Sequence, residues 1–211
     1  MLGARSTQSS CHERHVRFPT DPKKIRERIR RYERALKDEI RTVGALGDGA
    51  GKRYLLGPLY LLLGDTPGAI QSFAWFEQTC PDDTGEPFQY LCWSLALYRS
   101  GKLEAASTKL RQTMLMNLYL LPHLLGLKPE RLNIWHGTNW AEPSYLGDAP
   151  PELFLLWDET AWRWARERYQ SPEFTAVRTR YVEIHEQFLT LRPGPKRSRL
   201  VEESFQLQER G

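Results

Sequence analysis

Two apolar runs separated by a short polar turn occupy residues 54–83, and this pattern constrains the fold more than any other in the chain. The turn reads Gly-Asp-Thr-Pro, in which Thr66 is a favoured N-cap residue and Pro67 suits the start of a helix. Apolar and small residues recur at intervals of three or four on both sides of the turn, which indicates helices. The segment therefore predicts two helices that pack against each other, with Gly57 allowing a close approach.

Seven residues of this segment resemble, at the right mutual spacing, the tetratricopeptide repeat, a helix-turn-helix unit of about 34 residues. They are Leu56, Gly57, Tyr60, Gly64, Ala69, Phe73 and Pro81. Two positions depart from the repeat pattern. Pro58 lies inside the first helix, where it removes an amide donor and is expected to bend the helix, and Phe76 stands where the family usually has a small residue.

The same pattern returns 37 residues later, where Gly101 takes the position of Gly64. On this alignment the packing positions of the first repeat also find apolar or small counterparts: Trp93, Leu97, Ala106 and Leu110. The repeats lie near residues 51–83 and 87–118. Because one repeat cannot bury its own apolar face, further helices must stack on these two. The resemblance implies an all-α fold, a right-handed stack of antiparallel helical hairpins (a tetratricopeptide-like α-solenoid) with flanking helices.

The remaining segments complete one predicted helical domain over residues 21–192. A flanking helix is expected at 21–43, a Gly-, Asn- and Pro-rich loop at 127–150, and a C-terminal helical hairpin at 151–191. Residues 1–20 form a predicted disordered basic tail, whose Arg and Ser content also gives a weak similarity to an organelle transit peptide. Residues 193–211 form a predicted polar tail with a short helix at best.

The predicted helix at 21–43 combines an apolar stripe with a strongly basic remainder. Residues 22–43 contain nine Lys or Arg and four Asp or Glu, a net charge of +5, whereas the whole chain carries +4. Two interpretations stay open. The basic face contacts nucleic acid phosphates or an acidic partner, or it is the solvated outer face of a helix that packs on the first repeat.

The family resemblance implies protein binding as the function. In this family the first helix of each repeat lines a concave groove, and the residues at those positions here are Tyr54, Leu61, Phe88, Leu91, Leu95, Tyr98 and Arg99. A well-known subset of the family captures a peptide's terminal carboxylate with Lys and Asn. The mostly apolar positions here instead favour an apolar or helical segment of a protein or peptide partner.

A second candidate site lies in the loop at 127–150. Its polar and aromatic residues form the most unusual cluster in the chain: Trp135, His136, Asn139 and Trp140. Exposed Trp side chains forgo burial, so the loop is expected to cover something. It is either a lid on the end of the helical stack or the wall of a small-ligand or enzyme site. His123, alone in an apolar stretch, is expected to be a hydrogen-bonded core residue.

No motif indicates catalysis, a cofactor or a metal. The Gly-rich stretch at 43–53 lacks the spacing of a phosphate loop, and His185-Glu186 is followed by Leu189 where a zinc-protease helix has its second histidine. The three cysteines lack a paired spacing, which argues against disulfides and a zinc cluster. No run reaches the roughly 18 apolar residues of a membrane span. We therefore predict a cytoplasmic, non-enzymatic protein with no membrane partner.

Overall fold

A computed structural model describes residues 18–209 of the chain. That part contains eleven α-helices and no strand, which confirms the all-α class. The helices are α1 (Pro22–Val43), α2 (Lys52–Leu62), α3 (Thr66–Thr79), α4 (Pro87–Arg99), α5 (Leu103–Met116), α6 (Leu120–Leu124), α7 (Tyr145–Asp148), α8 (Pro151–Phe154), α9 (Glu159–Gln170), α10 (Pro172–Gln187) and α11 (Pro195–Glu209).

The N-terminal part of the described chain is anchored by helix α1. Asp21 caps the helix by accepting a hydrogen bond from the Lys23 amide at 2.9 Å, and Gly44 ends it in the left-handed conformation. Residues 1–17, which make up most of the predicted N-terminal tail, lie outside the described residues. Phe18 belongs to the same predicted tail but is only 5% exposed and packs in the core, so the folded domain begins before residue 21.

Helices α2 and α4 end in the same way, 37 residues apart. Gly64 and Gly101 both adopt the left-handed conformation, with φ of 76° and 73°. Each amide that follows donates to the carbonyl five residues earlier, Asp65 to Tyr60 and Lys102 to Leu97, at 3.0 Å in both cases. These turns return the chain so that α3 packs on α2 and α5 packs on α4. Asp65, rather than the expected Thr66, is the N-cap of α3.

The contact between α2 and α3 depends on the absence of a side chain at Gly57. A Cβ atom there would overlap three carbons of the Phe73 ring. Phe73 in turn stacks on Trp93 of α4, with ring centroids 5.2 Å apart and planes 9° from parallel. Gly57 therefore sets how the first helix pair packs on the next helix.

An ion-pair cluster at the N-terminal end of α2 joins two loops. Asp48, only 3% exposed, accepts from Lys52 Nζ and from the backbone amide of Arg53. The Arg53 guanidinium donates through Nε to Asp83 Oδ2 at 2.6 Å, and the Tyr54 hydroxyl donates to the same carboxylate. The loop before α2 and the loop after α3 are thereby held together, which fixes the position of Asp83.

The C-terminal region departs from the sequence-based expectation in two ways. The predicted first helix of the hairpin is interrupted, since α8 ends at Phe154 and α9 begins after the N-cap Asp158, whose side chain accepts from the Ala161 amide at 2.8 Å. The predicted polar tail is mostly α11, a helix of 15 residues. Leu200 and Ser204 are buried, so α11 is part of the folded domain.

We predict that Gly57→Ala destabilises the protein by about 1–3 kcal/mol, because the added methyl group forces Phe73 and its neighbours to move. Chemical denaturation measures the change. Gly147→Ala is the matched control, since a Cβ atom at Gly147 meets no atom within 4 Å. Equal stability of the two variants would show that α2 and α3 do not approach through Gly57.

Candidate functional site

Five of the seven residues expected to line a concave groove are buried inside the protein, which corrects that prediction. They are Tyr54, Leu61, Phe88, Leu91 and Leu95. Leu91 and Leu95 belong to the same core cluster as Trp157 and Ala161, which lie before and within α9. This face of α4 is thus part of a core that also includes residues of the C-terminal region.

The other two predicted groove residues also make internal contacts. The Tyr98 ring lies 4.8 Å from the Trp164 ring of α9. Arg99 is exposed, but its Nη2 donates a hydrogen bond to the backbone oxygen of Leu156. Both residues therefore hold the C-terminal region against α4. His123, expected in the core, is exposed.

The second predicted site is partly assembled. Trp135 and Trp140 line one cavity, whereas His136 lies within 3.2 Å of the Tyr119 hydroxyl and does not line it. Asn139 is exposed in a short 3-10 helix, Asn139–Ala141, and does not line that cavity either. The loop thus provides two aromatic walls.

The cavity lies between this loop, α10 and α11 and has a volume of about 320 Å³. We call it the aromatic cleft. It is lined mainly by large apolar side chains: Trp135, Trp140, Tyr181, Phe188, Val201 and Phe205. Its size falls within the range of about 300–1,000 Å³ typical of ligand pockets.

Exposed apolar residues concentrate at this cleft. Seven large hydrophobic side chains of residues 18–209 are exposed, and three of them line the cleft: Trp135 at 41%, Val201 at 36% and Phe205 at 53%. Single exposed apolar residues are common on protein surfaces, whereas a group of them marks an interaction site. This surface is therefore the strongest candidate for a binding site.

A hydrogen-bonded pair, His185 and Ser204, faces the cleft. His185 Nδ1 lies 2.9 Å from the backbone oxygen of Trp135, which only accepts, so Nδ1 carries the proton. In the neutral ring Nε2 then accepts from the Ser204 hydroxyl at 3.2 Å. The Trp135 amide also donates to the His185 backbone oxygen at 3.0 Å. His185 therefore ties the loop to α10 and α11 together.

The surroundings of this pair keep it uncharged. Burial lowers the pKa of His185 below its usual value of 6.5, although the hydrogen bond to the Trp135 carbonyl partly offsets this effect. Burial also raises the pKa of Tyr181 to about 12. The Tyr181 ring stacks on His185 at 4.1 Å and its hydroxyl accepts from Gln208 Nε2. At neutral pH the cleft thus offers neutral hydrogen-bonding groups within an aromatic wall.

The cleft continues into a second, more polar depression of about 340 Å³. The two share Thr84, Met116, Phe205 and Gln208, and the polar part is lined in addition by Asp82, Asp83, Tyr90 and Gln112. Gln112 donates through Nε2 to the backbone oxygen of Gln208, while its Oε1 is buried and has no hydrogen-bond partner among the described residues. The acceptor that this end of the surface offers is the carboxylate of Asp82, which is exposed.

The sequence-based prediction of this site was limited to the loop. Half of the residues that line the cleft lie on or next to α10 and α11, and none of these was predicted as a site residue. A usable signal existed, since Tyr181, His185 and Phe188 have the spacing of one helix face. In α11, Val201 and Phe205 repeat at an interval of four on the other side of the cleft. The tail's mixed charge concealed this periodicity.

No family model matches the sequence, and no curated protein or solved structure shows significant similarity to it. The tetratricopeptide resemblance therefore stays a prediction. Within residues 18–209 every helix is too short or too polar to cross a membrane.

We predict that Leu91→Ala destabilises the protein by about 2–5 kcal/mol, because a fully buried side chain leaves a cavity between α4 and α9. If Leu91 instead lined an open groove, the same substitution would change the stability of the protein little. Leu155→Ala is the control, since Leu155 is 85% exposed and is expected to change stability little. Urea denaturation of both variants decides between a closed and an open face.

We predict that His185 makes the protein less stable as the pH falls below about 6.5. The unfolded chain protonates His185 near that pH, whereas burial keeps the folded form neutral, so protons favour unfolding. Denaturation at pH 7.5 and 5.0 is expected to show a smaller loss for His185→Gln than for the parent.

Comparing variants is necessary because burial raises the pKa of Glu86 to about 7, which acts in the opposite direction over this pH range. His123→Gln is the matched control, since His123 is exposed. A His185→Gln variant with the pH dependence of the parent would contradict the prediction.

Proposed function

We propose that the protein is an interaction module that binds a peptide segment of a partner protein in the aromatic cleft. The observation that carries this proposal is the convergence of Trp135, Val201 and Phe205, all exposed, on one cavity of about 320 Å³. Aromatic side chains in a pocket are typical binding hot spots. A large apolar side chain of the partner would enter the cleft and cover them.

The shape of the surface supports an extended ligand. The aromatic cleft and the polar depression meet at Thr84, Met116 and Phe205, so a peptide anchored in the first would continue over the second. Its amides or a basic side chain would donate to the exposed Asp82 carboxylate. The preferred peptide therefore combines an apolar anchor with a hydrogen-bond donor or a positive charge beside it.

We also infer that α2 to α5 form two tetratricopeptide-like repeats within a right-handed helical stack. The equivalent left-handed glycines, Gly64 and Gly101, and the equivalent buried alanines, Ala69 and Ala106, support this inference. In such a repeat family a peptide would be expected in the concave groove. Here the chain's own helices cover the groove positions, so the proposed peptide site lies elsewhere, at the edge formed by α10, α11 and the loop.

A small-molecule site is a second candidate, favoured by the His185–Ser204 pair. The two side chains meet at 3.2 Å, line a cavity of ligand-binding size and place a neutral base beside a hydroxyl group. Such a ligand would be mostly apolar with one polar group. It would occupy the aromatic cleft without needing the polar depression, so Asp82→Asn would leave its affinity unchanged and weaken a peptide with a basic residue.

We predict that Phe205→Glu weakens peptide binding at least tenfold, equivalent to about 1.4 kcal/mol, because it puts a charge at the mouth of the cleft. Peptides selected from a random displayed library on the immobilised protein are expected to share an aromatic or large aliphatic residue. Fluorescence anisotropy then measures the affinity of one selected peptide for the parent and the variant.

Leu155→Glu is the matched control, because Leu155 is the most exposed large apolar residue of the described chain and does not line the cleft. It is expected to bind the selected peptide like the parent. Selection of no peptide, or an equal loss of binding in the two variants, would contradict the proposed site.

A further inference from the structure

Six basic residues form one continuous row along the solvent face of α1. Lys23, Arg26, Arg30, Arg34, Lys37 and Arg41 follow each other at intervals of three, four, four, three and four, which keeps them on one side of a helix. All six are exposed. At a rise of about 1.5 Å per residue the row is about 27 Å long. We call it the basic stripe.

The acidic residues of α1 leave most of this charge unneutralised. Glu33 accepts the Tyr60 hydroxyl at 2.6 Å, and Glu39 accepts the backbone amides of Gly47 and Asp48 at 3.0 Å. Asp38 forms an ion pair with Arg41 at the end of the stripe.

The other five members of the stripe form no ion pair with the described residues: Lys23, Arg26, Arg30, Arg34 and Lys37. The fold thus directs two of the four carboxylates of α1 toward the loop and α2. The fourth, Glu27, is exposed beside Arg26, and the exposed surface of α1 keeps an excess of cations.

The stripe does not have the character of a membrane-binding helix. Such a helix buries an apolar face in the lipid headgroup region beside its basic residues. The apolar face of α1 is already used, since Ile25, Ile29 and Leu36 are buried in the protein core. What remains accessible on α1 is mostly charged, and Val43 at its C-terminal end is its one exposed large apolar residue.

We propose that the basic stripe binds the phosphate backbone of a nucleic acid. Phosphate groups are regularly spaced anions on a linear polymer, so a straight row of unpaired Lys and Arg can contact several of them at once. No base-reading geometry is implied, and the expected binding is independent of sequence. This site is separate from the aromatic cleft, because no stripe residue lines that cavity.

The test is the salt dependence of binding to a fluorescein-labelled 20-base-pair DNA duplex. Each phosphate contact contributes about −0.9 to the slope of log affinity against log salt concentration. The parent is expected to give a slope of about −4 to −5. Arg26→Gln, Arg30→Gln and Arg34→Gln combined are expected to reduce the slope by about 3 and to weaken binding at 50 mM salt at least tenfold.

The matched control removes the same charge elsewhere. Arg163, Arg168 and Arg199 are exposed on α9 and α11, and their combined replacement by Gln lowers the net charge equally. This control is expected to retain the slope of the parent. Thermal melts of both triple variants establish that each is folded.

Three results would overturn the proposal. The first is an absence of duplex binding by the parent at 50 mM salt. The second is an equal loss of affinity in the two triple variants, which would show only a dependence on net charge. The third is tighter binding to vesicles containing phosphatidylserine than to the duplex, with the same dependence on the stripe, which would assign α1 to a membrane surface.

Discussion

Helix α4 must be covered on nearly every side, and the rest of the structure follows from that constraint. Its residues from Leu91 to Leu97 are all buried, so one partner helix cannot satisfy it. Helices α2, α3 and α5 cover one part of its circumference. Leu91 and Leu95 remain on the other part, and leaving two such side chains in water would cost about 1.5–3 kcal/mol each. A second core cluster, which combines residues of α5, α6, α9 and α10, provides the missing cover.

This cover explains why the binding surface is not where the repeat resemblance puts it. Leu91 lies in the same core cluster as Trp157 and Ala161, so the face of α4 that carries it is interior. Helices α10 and α11 and the loop that carries Trp135 then meet at the edge of that packing. His185 fixes their junction through backbone atoms of Trp135 and the hydroxyl of Ser204. The aromatic cleft therefore forms where α10, α11 and this loop meet.

The sequence predicts local structure in this chain better than it predicts which surfaces remain free. Gly64 and Gly101 mark turns because helix ends favour glycine in the left-handed conformation, a purely local effect. The apolar character of Leu91 is equally visible, but it is buried in a core cluster that includes α9, which lies some 70 residues later. For α11 the sequence predicts a short helix at best, because mixed charges hide the two buried positions, Leu200 and Ser204. Four of the fourteen residues that line the cleft belong to α11: Val201, Ser204, Phe205 and Gln208.

The unpaired cations of the basic stripe contrast with two groups of paired charges elsewhere in the described residues. Arg53 lies between two aspartates, and Arg180 contacts both Glu183 and Glu203. Even Glu33 and Glu39 of α1 are engaged by neutral donors rather than by the adjacent cations. A solvated helix face usually balances its charges through pairs at intervals of three or four. The basic stripe keeps like charges at that interval over most of its length, a repulsive arrangement that a linear polyanion would relieve.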